Sequence, residues 1–269
     1  MKNISIIDEE WDNLIILDAC RYDFFRDLYD DYINGELKKV RSRGSTTLTW
    51  LKSNFKSYND VDYVSSNPYI NSYGVEFADF NATNRFNKII DVWDFGWSEE
   101  LKTVPPKETK EAAMKVGNRS DKRKIIHFLP PHYPYVSIEN DFYDGLSNRR
   151  ISYHEKKDIK KLKNKLKNFL IRGIGKNNYW RIKETCGLPP MGYYETIWRR
   201  IRDNRAKWKN IYVNNLKWAL EEVSSLVDYL DGTTIVSADH GEALGEKGIY
   251  GHPNIDIPEL REVPWLEIT

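Results

Sequence analysis

The sequence has few cysteines and no long apolar run. Its two cysteines, Cys20 and Cys186, exclude a disulfide scaffold and a cysteine-based zinc module. The longest apolar run near the N-terminus is residues 14–17, far short of the ~18 residues that a membrane span needs. Acidic residues interrupt the N-terminus before any stretch long enough for a signal peptide. These absences predict a soluble protein that stays in the cytoplasm.

The chain also lacks an excess of either charge. It has 41 Lys and Arg against 40 Asp and Glu, so its formal net charge is +1 and nucleic acid is not an expected partner. Its hydrophobic fraction of 40% and aromatic fraction of 13% are enough for a sizeable core. We therefore expect one large α/β domain over residues 1–269.

Short apolar runs bounded by turn residues alternate with segments of helical periodicity. The runs at residues 13–17, 61–64, 124–129 and 233–236 are typical of strands buried on both faces. Helices are predicted at residues 24–32, 48–55, 107–116 and 211–230. This alternation predicts a doubly wound, mainly parallel sheet with helices on both faces.

A lysine-rich stretch interrupts this pattern. It has many basic residues and few acidic ones, together with part of an amphipathic stripe. We expect a helical insertion at about residues 149–208, outside the sheet. It is either a solvated surface or a peripheral docking face for an anionic glycan, a lipid headgroup or a membrane.

Polar residues follow the ends of the predicted strands. In a parallel sheet, ligands bind at the carboxyl ends of the strands. Those ends carry Asp18, Asn67, His132 and the pair Asp239 and His240. The sequence therefore places candidate functional side chains along one edge of the sheet.

The Asp239-His240-Gly241-Glu242 segment has the character of a metal site. Carboxylate and imidazole are ligands of Zn²⁺ or Mn²⁺, and of Ca²⁺ where more oxygens join. Asp18 ends the first strand, where a half-buried carboxylate needs a partner. That partner is either a cation shared with Asp239 and His240 or the amides of a helix that Asp18 caps.

A hydroxyl cluster, Ser45-Thr46-Thr47, enters the helix predicted at residues 48–55. Helix N–H groups bind anions, and a metal would activate a bound hydroxyl as a nucleophile. An ordinary helix cap without chemistry is the other interpretation. Arg21 and Arg43 either clamp an ester oxyanion or pair with carboxylates.

These motifs together resemble the sulfatase branch of the alkaline phosphatase superfamily. The resemblance rests on Asp18, on the hydroxyl cluster, on Asp-His-Gly-Glu at residues 239–242 with the later Gly251-His252, and on Pro-His-x-Pro-Tyr at residues 131–135. More narrowly, the segment at residues 17–23 and the C-terminal residues 263–267 look like those of archaeal sulfatase-like proteins.

The resemblance implies a divalent metal, Zn, Mn, Ca or Mg, held by Asp18, Asp239, His240 and a hydroxyl nucleophile. We assign the nucleophile to Thr46, because the family places it two residues before a helix-opening proline and Leu48 takes that position here. Arg21, His132 and His252 are the other predicted catalytic residues. One metal is favoured over two, because no convincing further Asp accompanies His132 and His252.

The resemblance implies a metal-dependent hydrolase or transferase acting on a phosphate or sulfate ester, including glycan-linked esters. Neither cysteine lies in the segment that sulfatases convert to formylglycine, so that cofactor is not expected. An unmodified hydroxyl is similar to the phosphodiesterase and phosphoglycerol-transferase relatives. The alternatives are a glycan or lipid phosphotransferase or phosphomutase of the same fold, and a degenerate binding protein without catalysis.

Overall fold

A computed structural model describes residues 1–117, 121–136 and 205–268. The lysine-rich insertion predicted at residues 149–208 lies almost wholly outside these described residues, as do Cys186 and His154. The prediction about its helical structure and its docking face therefore stays a prediction.

A central seven-stranded sheet organises the described residues. Its order is β2-β9-β6-β1-β5-β3-β4. The strands are β1 (Asn13–Leu17), β2 (Glu36–Arg41), β3 (Asn59–Ser65), β4 (Phe86–Asp91), β5 (Arg123–Phe128), β6 (Thr234–Ser237) and β9 (Glu262–Ile268). β9 runs antiparallel to both of its neighbours, β2 and β6, whereas the pairs among β6, β1, β5, β3 and β4 are parallel. A separate two-stranded ribbon pairs β7 (Ala243–Leu244) with β8 (Tyr250–Gly251).

Six α-helices accompany the sheet in the described residues. They are α1 (Tyr22–Arg26), α2 (Thr47–Asn54), α3 (Val92–Phe95), α4 (Pro106–Val116), α5 (Arg205–Val227) and α6 (Pro258–Arg261). The helix predicted at residues 24–32 is instead the short α1 and a separate 3₁₀ turn, Tyr29–Asp31. The other three predicted helices are confirmed within a few residues of their bounds.

The hydrophobic core lies along β1 and its neighbours. All five residues of β1 are buried, and successive strand side chains point to opposite faces, so both faces of the sheet are covered there. The helical stripe predicted on α5 is also buried, including Leu216, Leu220 and Val223. The mainly parallel α/β fold predicted from the sequence is confirmed.

Three strands of the seven-stranded sheet were not among the four predicted from apolar runs. β2 and β4 lie at the two edges of the sheet, where most of their residues are exposed or half-buried, so they have no continuous apolar run. β9 contains Pro264 and two glutamates, and it owes its place to pairing with β2 and β6. These strands depend on partners far away in the chain.

Candidate metal centre and nucleophile

Three predicted ligands converge at the carboxyl edge of the sheet. Asp18 follows β1, and Asp239 and His240 follow β6, which pairs with β1 in parallel. All three side chains are fully buried, and one ligand atom from each lies within 4.8 Å of the others. The sequence expectation that these strand ends are neighbours is confirmed.

Two carboxylate oxygens in this cluster have no hydrogen-bond partner among the described residues. They are Asp18 Oδ1 and Asp239 Oδ2, which lie 3.6 Å and 3.3 Å from His240 Nε2. A buried carboxylate oxygen without a partner is costly, because it has lost its hydration. Both oxygens therefore point to a position that a cation would fill.

The other oxygens of the two carboxylates are held in place. Asn67 Nδ2 donates a 2.7 Å hydrogen bond to Asp18 Oδ2, and His127 Nε2 lies 3.3 Å from the same oxygen. The backbone N–H groups of Ala19 and His240 donate to Asp239 Oδ1 at 3.1 Å and 2.9 Å. Each carboxylate thus has one anchored oxygen and one that faces the cluster.

The backbone between β1 and α1 turns sharply at Ala19. Ala19 has a φ of 60°, in the left-handed region that costs a residue with a Cβ atom about 1 kcal/mol. This conformation directs the Ala19 N–H group at Asp239. The Tyr212 hydroxyl of α5 supports the turn, because it donates to the Ala19 carbonyl at 2.8 Å and accepts from the Arg21 N–H group at 2.9 Å.

The imidazole of His240 has a defined orientation. Its Nδ1 lies 2.8 Å from the carbonyl oxygen of Gly241, which can only accept, so Nδ1 carries the proton. Burial lowers the pKa of His240, but Asp239 and Asp18 outweigh it and raise that pKa above its ordinary value. The same negative surroundings that favour an imidazolium would also favour a metal cation.

The charge of Asp18 is stabilised by several imidazoles. Burial by itself would raise the pKa of its carboxyl group, but His132, His127 and His240 together hold that pKa well below its usual range. Asp18 is therefore a carboxylate under all ordinary conditions, as a metal ligand must be.

The hydroxyl cluster differs from the sequence prediction in one residue. Thr46 is the N-cap of α2, and its hydroxyl accepts from the Thr49 N–H group in a capping box. Thr47 is buried, and its Oγ1 lies 3.3 Å from His240 Nε2. Ser45 turns away to Asn254. The structure thus directs Thr47, and not Thr46, at His240, and the assignment of a nucleophile stays a prediction.

Gly44 explains why the chain enters α2 in this way. A Cβ atom at this position would lie 2.2 Å from the backbone nitrogen of Trp50, so the loop can pack against α2 only with glycine. The close contact keeps the hydroxyl cluster folded over the start of the helix. Thr47 is then held at the first residue of α2 beside His240.

Two of the predicted catalytic histidines lie next to the cluster. The His252 ring is 4.6 Å from the His240 ring and 4.9 Å from the His132 ring. His252 Nδ1 lies 2.8 Å from Glu242 Oε2. Burial lowers the pKa of His252 below its ordinary value, although Glu242 opposes this. One nitrogen of His252 is therefore occupied by Glu242.

The predicted catalytic Arg21 has a different environment. Its guanidinium donates to the Asp23 carboxylate, to Glu246 Oε1 at 2.8 Å and to the Glu242 carbonyl. The structure therefore supports the carboxylate-paired alternative for Arg21. This network ties the β1 turn to the segment that carries Glu242 and β7.

Sequence reasoning missed the role of one strand residue. His127 lies in β5 and is fully buried. However, its ring bridges Asp18 and the Tyr63 hydroxyl, which lies 2.8 Å from His127 Nδ1. A histidine one residue before the end of a central strand was the available signal.

No family model matches the sequence, and no curated protein is a significant match. Solved structures do match. The C-terminal periplasmic domain of phosphoethanolamine transferase EptC from Campylobacter jejuni is 14% identical and has a TM-score of 0.52, with 99% of this chain and 82% of that chain covered. The soluble domain of lipooligosaccharide phosphoethanolamine transferase A from Neisseria meningitidis is also 14% identical, with a TM-score of 0.49 and coverage of 95% and 75%. The corresponding EptC domain from Escherichia coli, solved with Zn, is 11% identical, with a TM-score of 0.47 and coverage of 99% and 75%.

The Campylobacter domain establishes the fold of this chain and, at 14% identity, nothing beyond the fold. The fold that the resemblance implies is confirmed by this match, and membership of the superfamily stays a prediction.

The prediction of a cytoplasmic protein is wrong, because the Campylobacter jejuni domain that shares this fold is periplasmic. Among the described residues, none of the helices combines the length and the apolar character that crossing a membrane requires.

Proposed function

We propose that this protein is a metal-dependent enzyme that transfers or hydrolyses a phosphate ester, with the hydroxyl of Thr47 as its nucleophile. One observation carries this proposal. Two buried carboxylate oxygens, which have no hydrogen-bond partner in the described part of the chain, and the Thr47 hydroxyl all lie around one imidazole nitrogen, His240 Nε2. A purely structural cluster would pair those oxygens with hydrogen-bond donors.

The donor set fits a divalent metal. Asp18, Asp239 and His240 offer two carboxylate oxygens and one imidazole nitrogen, and Thr47 offers a hydroxyl oxygen. This combination suits Zn²⁺ or Mn²⁺, whereas Ca²⁺ would need more oxygens. When bound, such an ion would lower the pKa of the hydroxyl and neutralise negative charge on the ester.

The protein itself contributes the placement of the nucleophile. Thr47 is the first residue of α2, where unpaired helix N–H groups favour negative charge. In the proposed step, the Thr47 hydroxyl loses its proton to solvent, a bond forms from its Oγ1 to phosphorus, and the bond from phosphorus to the ester oxygen breaks. Water or a second alcohol then attacks the phosphothreonine, which gives hydrolysis or transfer respectively.

His132 and His252 are the proposed acid–base groups. His252 lies beside His240, and His132 lies beside His252; one of the two would protonate the departing alcohol oxygen. Glu242 orients His252 through its Nδ1. Arg21 is a positioning residue in this scheme, because its donors are already used by Asp23 and Glu246.

A phosphate ester is favoured over a sulfate ester by the chemistry of the nucleophile. The position that faces the ligands holds Thr47 and no cysteine, so formylglycine cannot form there. The solved domain that shares this fold belongs to a phosphoethanolamine transferase. We therefore propose transfer or hydrolysis at phosphorus for this chain as well.

The test compares two adjacent threonines. The wild type is expected to turn over bis(4-nitrophenyl) phosphate with added Zn²⁺ or Mn²⁺. In Thr47→Ala this turnover should fall at least 100-fold. Thr46→Ala is the matched control, which should keep turnover and lose only about 1 kcal/mol of stability as a helix cap. Mass spectrometry of a quenched reaction should find phosphate on Thr47. Full activity of Thr47→Ala would overturn the proposed nucleophile.

A further inference from the structure

A basic groove adjoins the segment between β2 and α2 and contains none of the candidate metal ligands. It has a volume of about 600 Å³ and contains five cationic side chains and one carboxylate, which belong to Arg41, Arg43, Lys52, Lys56, Arg261 and Asp256. The chain as a whole has a formal net charge of only +1. The groove therefore concentrates positive charge that the overall composition does not reveal.

The cations of the groove are only partly neutralised. Asp256 pairs with Arg41 and with Arg261, and Lys52 has a distant partner in Asp79 at 3.9 Å. Arg43 and Lys56 are exposed, and within the described ranges of the chain neither has an acidic partner. Burial and the neighbouring Arg41 lower the pKa of Arg261, whereas Asp256 raises it, which agrees with cations crowded together. The groove thus has unused donors for an anion.

The groove is connected to the metal centre through Ser42. The Ser42 carbonyl accepts a 2.7 Å hydrogen bond from Arg261 Nε, and the Ser42 hydroxyl donates to the Asp239 carbonyl. The same short segment, residues 41–44, then leads into α2 and Thr47. Lys52 lies five residues after Thr47, about 7.5 Å further along the axis of α2. One extended substrate can therefore reach the groove and Thr47 at the same time.

We infer that the groove binds a second phosphate group of the substrate, remote from the ester that reacts. This inference rests on the proposed function and names its substrate class, an ester that also carries a phosphate monoester. Arginine and lysine side chains donate charge-assisted hydrogen bonds to phosphate oxygens. Binding a remote phosphate there would hold the reacting ester against Thr47.

The first experiment measures binding without turnover. Inorganic phosphate is titrated into the full chain, and backbone amide NMR signals are followed. Signals of residues 41–44 and 52–56 should shift along a saturable curve, separately from those around Asp239. In Arg43→Gln/Lys56→Gln these shifts should fall at least fivefold, whereas Lys88→Gln/Lys115→Gln, which removes two exposed lysines elsewhere, should keep them. Equal shifts in both variants would overturn the groove as a phosphate site.

The second experiment measures recognition of a substrate. Aryl phosphodiesters are made with an alkyl arm of about 5 to 16 Å, one to three helical turns, that ends in either a phosphate or a hydroxyl group. At its best arm length, the phosphate-tipped series should have a KM about fivefold lower than that of the hydroxyl-tipped series. A gain of this size is expected because contacts between a phosphate and exposed cations are screened by solvent. The groove variant should lose this advantage and keep kcat on the hydroxyl-tipped series.

The two experiments separate the possible failures. Turnover with no preference for the phosphate tip would overturn this inference and leave the proposed function intact. Groove shifts without turnover of any ester would overturn the proposed function and the assignment of the groove to its substrate, while the phosphate site itself would stand.

Discussion

At the scale of single residues, the two carboxylate oxygens of Asp18 have different hydrogen-bonding environments. Oδ2 is anchored by Asn67 at 2.7 Å and lies 3.3 Å from His127 Nε2, whereas Oδ1 has no partner among the described residues and faces His240. Groups that anchor a ligand in this way usually matter for metal affinity, because they fix its direction and its basicity. Asn67 is thus part of the proposed metal site although it offers no ligand.

We therefore expect Asn67→Ala to weaken metal binding about tenfold while the protein stays folded. Asp18 would lose its strongest anchor and could rotate its free oxygen away from His240. Zn²⁺ affinity measured by competition with a chromogenic chelator checks this. Asn71→Ala is the control, because Asn71 is equally buried but bonds only to the backbone of Val75. Unchanged affinity in Asn67→Ala would show that the Asp18 anchor is unimportant.

At the scale of elements, α5 supports the turn that follows β1. The Tyr212 hydroxyl satisfies both the Ala19 carbonyl and the Arg21 N–H group, on either side of Cys20. These groups are buried, so water cannot replace the tyrosine. A helix distant in sequence thereby holds the left-handed residue that orients the Asp239 carboxylate.

Tyr212→Phe is expected to lower the free energy of unfolding by about 2 kcal/mol, because two buried backbone groups lose their partner. Urea unfolding followed by tryptophan fluorescence measures the loss. Tyr229→Phe removes a hydroxyl from the exposed tyrosine just after α5, which bonds to the Met114 carbonyl, and should change stability by less than about 0.5 kcal/mol. Similar losses in the two variants would contradict a special role for Tyr212.

At the scale of the whole molecule, ion pairs join segments that are far apart in the chain. Arg21, after β1, pairs with Glu246, which lies beyond β7 and is mostly buried. Burial raises the pKa of Glu246, but the Arg21 guanidinium outweighs it and lowers that pKa below its ordinary value. A carboxyl group whose pKa is lowered on folding stabilises the protein above its unfolded pKa, and that contribution is lost as the pH falls through the folded pKa.

The melting temperature should therefore fall more steeply in the wild type than in Glu246→Gln as the pH is lowered below the ordinary carboxyl pKa of 4.5. At pH 7 the variant should melt at a lower temperature, because Arg21 loses one of its two carboxylate partners. Differential scanning calorimetry between pH 7 and pH 3 measures both effects. Glu76→Gln, at an exposed position, should follow the wild-type profile. Parallel profiles of wild type and Glu246→Gln would contradict the role of the pair.

The sequence by itself determined the strands that are buried on both faces and the residues at their ends. A parallel strand in the middle of a sheet is buried on both faces and therefore mostly apolar, so β1, β3, β5 and β6 are visible as short, largely apolar runs. Asp18 follows β1 directly, and Asp239 and His240 follow β6 after Ala238. Their convergence could be predicted because parallel strands bring their carboxyl ends to one edge.

Only the tertiary structure decided between the three adjacent hydroxyls. Successive residues at a helix start differ in direction by about 100°, so the hydroxyl that meets His240 depends on how α2 packs and not on local pattern. The Thr46 hydroxyl caps α2, and the Thr47 hydroxyl faces His240. The same holds for the basic groove, whose residues are spread from Arg41 to Arg261. The nearly neutral composition does not reveal the positive charge of the groove. These residues form a site only because folding brings them close together, and no local sequence pattern records that proximity.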